Sequence, residues 1–160
     1  MKPIIIPFIP NNLGRVDFRV HVTDATNKGF KRVEFKLDSG SDFTTISCTD
    51  LYRLGYTREF LRSCPHHNNQ VTTAANTIRL QYIEGVSIKF EDREIQGCKI
   101  FFALDTGLRS LFGSDILKYF NWEVNYDEGM LRMAKANRSP RLSIGEDLLH
   151  IYDIGSDEHV

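Results

Sequence analysis

The sequence predicts an all-β, barrel-like domain with few short helices. Three observations favour this class. Apolar and polar residues alternate over several short segments, turn-forming residues separate these segments, and no strand–helix–strand rhythm of a parallel sheet recurs along the chain. At 160 residues, of which 41% are hydrophobic, the chain has the size of one domain that can bury its own core. We therefore expect a single domain over residues 1–160.

The first half of the chain is predicted to contain two strands and two short helices. Apolar side chains at every second position indicate strands with one buried face. Gly55 separates the two helical segments and is predicted to cap the first. The elements expected here are a strand at 16–22, a polar hairpin loop at 24–29, a strand at 33–37, a β-favouring segment at 44–46, helices at 50–54 and 57–62, and a loop at 64–70.

The second half is predicted to consist mainly of hairpins. Gly85 and Gly129 each follow an acidic residue at a position where a tight turn would reverse the chain. The elements expected here are strands at 77–82 and 86–90 around a turn at 84–85, a turn at 91–93, a strand at 94–104, a helix at 114–120 with Ser114 as its N-cap, a strand at 122–126, a turn at 127–129 and a strand at 130–133.

The turn after the strand at 33–37 has the clearest chemical potential. It reads Asp38-Ser39-Gly40-Ser41 and places a carboxylate on a sharply bent backbone. Gly40 lacks a Cβ and tolerates such a bend, and the two serines carry hydroxyls that can donate to a carboxylate. A carboxylate displayed in this way suits acid–base chemistry by a pair of carboxylates, of which this turn supplies one. The same residue types also form ordinary turns, which leaves a structural role open.

A second segment gives the first one more meaning. About 75 residues downstream, Leu111 and Phe112 precede Gly113, and a short helix is predicted next. Alone, this segment fits any connection between a strand and a helix. The combination of the two segments, in this order and at this spacing, is more specific than either.

Together the two segments resemble those of retropepsin-like aspartic proteases, over roughly residues 14–127. The resemblance implies a closed β-barrel acid-protease fold with one or two short helices. In that family each protomer supplies one catalytic Asp, and two protomers form one active site. The resemblance therefore implies a homodimeric peptidase in which Asp38 is the catalytic acid of each chain. Residues about 134–160 would form a C-terminal extension.

The resemblance also assigns roles around Asp38. Ser39 would grip its counterpart across the dimer axis, and Gly40 would let the backbone approach closely. The segment Leu111-Phe112-Gly113 would back the turn in a ψ-shaped crossing. At Ser41, where pepsin-like relatives also have a hydroxyl, we expect a hydrogen bond to the Asp38 carboxylate that favours its charged form.

Four residues are candidates for substrate contacts. In retroviral members an Asp at the offset of Asp42 holds the substrate backbone and pairs with an Arg. Here Ser114 follows Gly113, so Asp42 either binds substrate or only caps the turn. The stretch 71–77 matches the flap of the family and is suited to pairing with a peptide as an added strand, but it contains no glycine, so a plain surface loop is the alternative. The candidates are Asp42, Thr72, Thr73 and Ala74.

An Asp-Thr-Gly segment later in the chain competes with the Asp38-Ser39-Gly40 turn. Asp105-Thr106-Gly107 also follows an apolar run. Only three residues separate it from Leu111, and no second apolar-apolar-Gly segment follows. We interpret it as a turn between two strands. The length also disfavours a two-lobed enzyme in one chain, because 160 residues are about half of what two lobes need.

Composition narrows the remaining classes. The formal net charge is −1, so no basic excess indicates nucleic acid or an anionic membrane as a partner. No apolar run reaches transmembrane length, and the proline-broken start lacks a signal-peptide pattern. The three cysteines, at 48, 64 and 98, are odd in number and lack metal-binding spacing, which favours free thiols in a reducing compartment. The segment Cys64-Pro65-His66-His67 fits no standard zinc pattern.

The sequence therefore predicts a homodimeric, cytoplasmic aspartic endopeptidase without metal or cofactor. The rival is a dimerisation or peptide-binding module that keeps the fold without catalysis. Apolar residues near 148–152 are expected to form a strand or helical turn against the partner protomer.

Overall fold

The computed structural model describes residues 2–9, 11–23, 29–72, 77–90, 93–135 and 150–153. This part of the chain contains ten strands and three short helices, which confirms a mostly β chain. The strands are β1 (Ile4–Pro7), β2 (Asp17–Thr23), β3 (Lys31–Leu37), β4 (His66–Thr72), β5 (Thr77–Phe90), β6 (Arg93–Phe102), β7 (Leu111–Phe112), β8 (Phe120–Asn125), β9 (Met130–Lys135) and β10 (His150–Asp153). The helices are α1 (Cys48–Arg53), α2 (Arg58–Ser63) and α3 (Ser114–Leu117).

The strands form two sheets. The larger, seven-stranded sheet has the order β10-β6-β5-β2-β3-β7, with β4 paired to β5 beside this path. The smaller sheet has the order β1-β9-β8. The prediction of a closed barrel is not met among the described residues, because the outer strands β10 and β7 of the larger sheet do not pair with each other.

A short extended segment around Thr45 lies between β7 and β6 of the larger sheet. Thr45 exchanges backbone hydrogen bonds with Leu111 of β7, at 2.9 and 3.0 Å. On its other side, the Ile46 amide donates to the Phe101 carbonyl of β6 at 2.8 Å, and the Phe101 amide donates to Thr44 at 3.0 Å. These contacts are isolated bridges and not a full strand. They tie β7 to β6 directly after the Asp38 turn.

The core lies directly beneath the end of β3. The alternation in β2 and β3 buries Phe18 opposite Phe35 in neighbouring strands. The Phe112 ring from β7 meets Phe18 and Phe35 edge-on, with centroid distances of 5.3 and 5.9 Å. Such edge-to-face pairs add about 0.5–1.5 kcal/mol each beyond burial of their area. The segment that was predicted to back the Asp38 turn is therefore also part of the core.

Most elements predicted in the first half are confirmed. The strands at 16–22 and 33–37 are observed as β2 and β3. The helices at 50–54 and 57–62 are observed as α1 and α2, displaced by one or two residues. Gly55 has φ +103° and ends α1, since its amide and the next one donate to carbonyls of the last helical turn. Later in the chain, the strands expected at 94–104, 122–126 and 130–133 correspond to β6, β8 and β9.

The hairpin predicted around residues 84–85 is wrong. Residues 77–90 form one continuous strand, β5, and both halves of it pair with β6. Gly85 has φ +69°, and the register shifts between Ile83 and Val86. The glycine therefore absorbs a β-bulge and does not reverse the chain, a distinction that local sequence does not encode.

The loop predicted at 64–70 is also wrong, because residues 66–72 form β4. This polar segment has little strand propensity of its own, but the long β5 offers a partner edge along which it pairs. The buried Gln81 of β5 fixes the start of β4. Its Nε2 donates to the carbonyls of Leu61 at 2.9 Å and Cys64 at 3.1 Å, at the end of α2.

The helix predicted at 114–120 is shorter than expected. α3 ends at Leu117, and Phe120 already begins β8. Gly113 is the N-cap, not Ser114. The Ser114 amide donates to the Ser41 carbonyl at 2.8 Å, so a contact with the Asp38 turn satisfies a helix terminus that has no side-chain cap.

The C-terminal prediction is confirmed in part. β10, which includes Ile151 and Tyr152, is a strand and pairs with β6 of the same chain. Its packing against a partner protomer remains a prediction. The predictions at 24–28 and 91–92 and the rest of the extension lie outside the described residues. No helix in the described part of the chain has the length and apolar character needed to span a membrane.

Candidate active site

Asp38 lies at the end of β3, where this strand meets β7. The two strands run parallel, with Leu37 beside Phe112. The Asp38 amide donates to the Phe112 carbonyl at 3.0 Å. This hydrogen bond holds the Asp38 backbone in the sheet. Asp38 as a whole is only half-buried, so its carboxylate retains access to solvent.

The turn after β3 is closed by two hydrogen bonds. The Ser41 amide donates to the Asp38 carbonyl at 3.1 Å, and the Gly40 amide donates to Asp38 Oδ1 at 3.1 Å. Ser39 and Gly40 are exposed. A Cβ on Gly40 would lie 3.4 Å from Asp38 Oδ1, so the glycine leaves the carboxylate uncovered. Gly40 does not have a positive φ, so its role here is close approach and not an unusual backbone conformation.

The expected hydrogen bond from Ser41 to the Asp38 carboxylate is not observed. The Ser41 hydroxyl donates to the Phe43 carbonyl at 2.8 Å. A hydroxyl has one proton to donate, so in this rotamer Ser41 stabilises the backbone of the turn and not the charge of Asp38.

Gly113 makes the tightest contact around the turn. A Cβ at this position would lie 2.5 Å from the Phe43 carbonyl oxygen and 2.8 Å from that of Ser41. No real Cβ tolerates such distances to backbone atoms, so the chain must be glycine where the two segments cross. Leu111 is half-buried and Phe112 is buried just before this point. The predicted backing of the turn by these three residues agrees with their position.

The half-buried carboxylate of Asp115 joins the two crossing segments through hydrogen bonds. Asp115 accepts from the Thr44 amide at 2.9 Å and from the Thr44 hydroxyl at 2.6 Å. The same hydroxyl accepts from the Gly113 amide at 3.0 Å. Burial raises the pKa of the Asp115 carboxyl, and the hydrogen bonds from Thr44 only partly offset this effect. The turn and the Gly113 segment are thus joined by a network of side-chain hydrogen bonds.

Sequence reasoning missed this network. The sequence contains one indication of this network: an acidic residue, Asp115, stands directly before Ile116 and Leu117, which are both buried. Thr44, 71 residues earlier, appeared only as part of a β-favouring segment. No local pattern pairs two polar residues at that separation.

The candidate substrate contacts are only partly described. Asp42 is exposed on the surface of the turn, and Thr72 is exposed at the end of β4. Thr73 and Ala74 lie outside the described residues. Val71 and Ile78 face each other across β4 and β5, and so do Thr72 and Thr77, so the described residues on either side of this stretch belong to two paired strands. A role in binding substrate remains a prediction for all four candidates.

The Asp105-Thr106-Gly107 segment is a turn, as predicted. Asp105 has φ +59° between β6 and β7. Its two carboxylate oxygens accept from Arg58 at 2.8 and 2.6 Å, and these hydrogen bonds lower the pKa of Asp105. A carboxylate held by a guanidinium on both oxygens is poorly suited to share a proton with another carboxylate.

Among the described residues, the cysteines and histidines do not converge on another site. All three cysteines are free thiols, and burial raises the pKa of Cys48 and of Cys64, which disfavours the reactive thiolate. In the residues that the structure describes, no three metal-ligating side chains come together. His67 packs against the Phe43 ring at 5.0 Å.

The chain is similar in structure to a protein of known fold. A retropepsin-like aspartic protease from Rickettsia conorii superposes with a TM-score of 0.53 at 19% identity, covering 82% of this chain and 89% of that one. The fold is retropepsin-like. No protein-family model and no curated protein sequence matches the chain. Identity at this level establishes the retropepsin-like fold alone.

The crossing predicts that a single methyl group on Gly113 disrupts the turn. In Gly113→Ala the backbone of Ser41 or Phe43 must move, so we expect a loss of about 3 kcal/mol in the free energy of unfolding, measured with urea. Gly107→Ala is the matched control, since a Cβ there meets no atom within 4 Å, and its expected change is about 0.5 kcal/mol or less. Equal losses in the two variants would contradict the close approach.

Asp115 predicts a component of stability that grows as the pH falls. Folding raises its pKa, so protonation favours the folded chain; this contribution is complete below the ordinary value of 3.8 and is lost as the pH rises through the raised pKa. Asp115→Asn lacks it. We expect the stability of the wild type relative to this variant to increase between pH 7 and pH 4, in urea unfolding at each pH. A difference that stays constant with pH would show that Asp115 does not titrate abnormally.

Proposed function

We propose that this chain is an aspartic endopeptidase whose active site forms from two copies. The observation that carries the proposal is the placement of Asp38. Its carboxylate is solvent-accessible on a turn that the sheet, Gly113 and the Thr44–Asp115 network hold from three sides. This is the pre-organisation that acid–base chemistry by a carboxylate needs.

A second chain must supply the other carboxylate. The only other Asp-Thr-Gly or Asp-Ser-Gly turn in the sequence is that of Asp105, and Arg58 occupies its carboxylate. Ser39 and Gly40 are exposed beside Asp38, so this side of the turn is available to a partner. In the proposed dimer the two Asp38 turns face each other, with Ser39 gripping its counterpart across the axis.

The mechanism follows from the repulsion of like charges. Two carboxylates about 3 Å apart cannot both ionise readily, so the pair holds one proton between them. The ionised Asp38 accepts a proton from a bound water, which attacks the peptide carbonyl carbon. The protonated Asp38 donates to the carbonyl oxygen, which gives a diol intermediate. The first carboxyl then donates its newly acquired proton to the leaving nitrogen as the C–N bond breaks, and the second carboxylate takes a proton from a diol hydroxyl as the product carboxyl group forms. The pair returns to its starting state, and no covalent enzyme intermediate forms.

The substrate is a peptide in extended form. β4 pairs with β5 at an edge beside the main path of the larger sheet, and the sequence at residues 71–77 is small and polar. An extended peptide can add to such an edge through its backbone, while Asp42 on the turn meets the same backbone from the other side. The cytoplasmic location remains a prediction of the sequence.

Exchanging one carboxylate tests the proposal directly. We expect Asp38→Asn to reduce cleavage of a peptide library at mildly acidic pH by about a thousandfold, because the proton acceptor is lost. Asp105→Asn is the control and should cleave like the wild type. Inhibition of the wild type by a peptide analogue of the tetrahedral transition state is the positive control.

Two other outcomes would each mean something definite. Equal cleavage by wild type and Asp38→Asn would remove Asp38 from the mechanism. No cleavage by either protein, with peptides still bound, would support the rival function, a peptide-binding module that keeps the fold without catalysis.

A further inference from the structure

A second apolar cluster lies between the Asp38 turn and the β4–β5 hairpin. It is separate from the main core, and it draws on the turn, the hairpin, β6 and the loop that leads into β7. We call it the hairpin cluster. Its buried members are Leu80, Phe101 and Ala103, and its half-buried members are Phe43, Val71, Ile78, Tyr82 and Leu108.

Three aromatic rings meet edge-on in this cluster. The Phe43 ring lies 4.7 Å from Phe101 and 5.0 Å from His67, measured between centroids. His67 and Phe101 are 5.6 Å apart. Phe43 belongs to the turn, His67 to β4 and Phe101 to β6, so each ring comes from a different element. Edge-to-face contacts fix both the distance and the angle of the rings, unlike contacts between flexible aliphatic chains.

Phe43 also takes part in the crossing through its backbone. Its carbonyl accepts the Ser41 hydroxyl at 2.8 Å and is the atom that leaves no room for a Cβ on Gly113. One residue thus has its ring in the hairpin cluster and its carbonyl in the catalytic turn. A shift of β4 that displaces the Phe43 backbone together with its ring would also disturb the Ser41–Gly113 contact, because these backbone atoms are closely packed.

We infer that Phe43 and His67 are positioning residues that hold the catalytic turn in register with the β4–β5 hairpin. The inference rests on the proposed function, in which the hairpin covers the substrate and the turn carries Asp38. His67 lies five residues before Thr72, at the base of the hairpin. It acts through Phe43 and does not touch the reacting atoms.

The neighbouring histidine provides a matched control. Successive side chains of a strand point to opposite faces, and His66 is exposed while His67 is half-buried against Phe43. We expect His67→Ala to lower kcat by about tenfold and to change KM by less than about twofold. A misplaced turn stabilises the transition state less but leaves substrate binding unchanged. His66→Ala should leave both constants near those of the wild type, and His67→Phe, which keeps a ring, should restore most of kcat.

Double substitution tests the link itself. Phe43→Leu removes the ring but keeps an apolar side chain, and we expect it to lower kcat to a similar extent. If the two residues act as one unit, the double variant loses little more than either single variant. Independent, multiplicative losses would overturn the inference. So would a rise in KM or an altered peptide preference in His67→Ala, because either result would place His67 against the substrate.

Hydrogen exchange separates this inference from the proposed function. The amides of Asp38 and Ser41 are protected by bonds to Phe112 and Asp38, at 3.0 and 3.1 Å. In His67→Ala we expect both to exchange faster relative to the Leu37 amide, which bonds to Val16 at 2.8 Å in the sheet. His66→Ala should leave the ratio unchanged. An inactive wild type would refute the peptidase and leave this measurement standing, whereas an unchanged ratio in His67→Ala would refute the link.

Discussion

The structure depends on the close approach of Gly113 to the backbone of Ser41 and Phe43. At this crossing two segments separated by about 70 residues share hydrogen bonds, and no side chain fits between them. The parallel pairing of β3 with β7 is only two residues long and would be weak alone. It persists because Phe112 anchors one side in the core and the Asp115–Thr44 network closes the other. Asp38 inherits its fixed position from these contacts.

This arrangement explains why a carboxylate can be both rigid and accessible. A side chain fixed by its own burial would be desolvated, as Asp115 is, and its charged form would be disfavoured. Asp38 is instead fixed through its backbone and through the Gly40 amide. Asp115 has a structural task, whereas the half-buried Asp38 is held through its backbone and keeps its carboxylate for the proposed chemistry. The Asp105 turn lacks this division, because Arg58 holds its carboxylate at the surface.

The sequence predicted the strands with one buried face, because apolar and polar residues alternate along them. It also predicted the two segments that cross, because each contains a glycine in a recognisable motif. It did not predict β4, whose polar residues form a strand only because β5 offers an edge. Nor did it distinguish a bulge at Gly85 from a turn, since both need a glycine with positive φ. The hydrogen bonds of the Ser41 and Thr44 hydroxyls could not be predicted from the sequence, for another reason. Each hydroxyl has several acceptors within the turn, and the choice depends on how Gly113 packs.

In the proposed enzyme, two Asp38 residues from two chains act together. Mixing wild-type chains with Asp38→Asn chains, after equilibration at a concentration where pairs are complete, tests it most directly. If one active site needs two intact chains, peptidase activity follows the square of the wild-type fraction, and an equal mixture has about a quarter of the full activity. Activity proportional to the fraction, about half in the equal mixture, would mean that each chain works alone and would contradict the account.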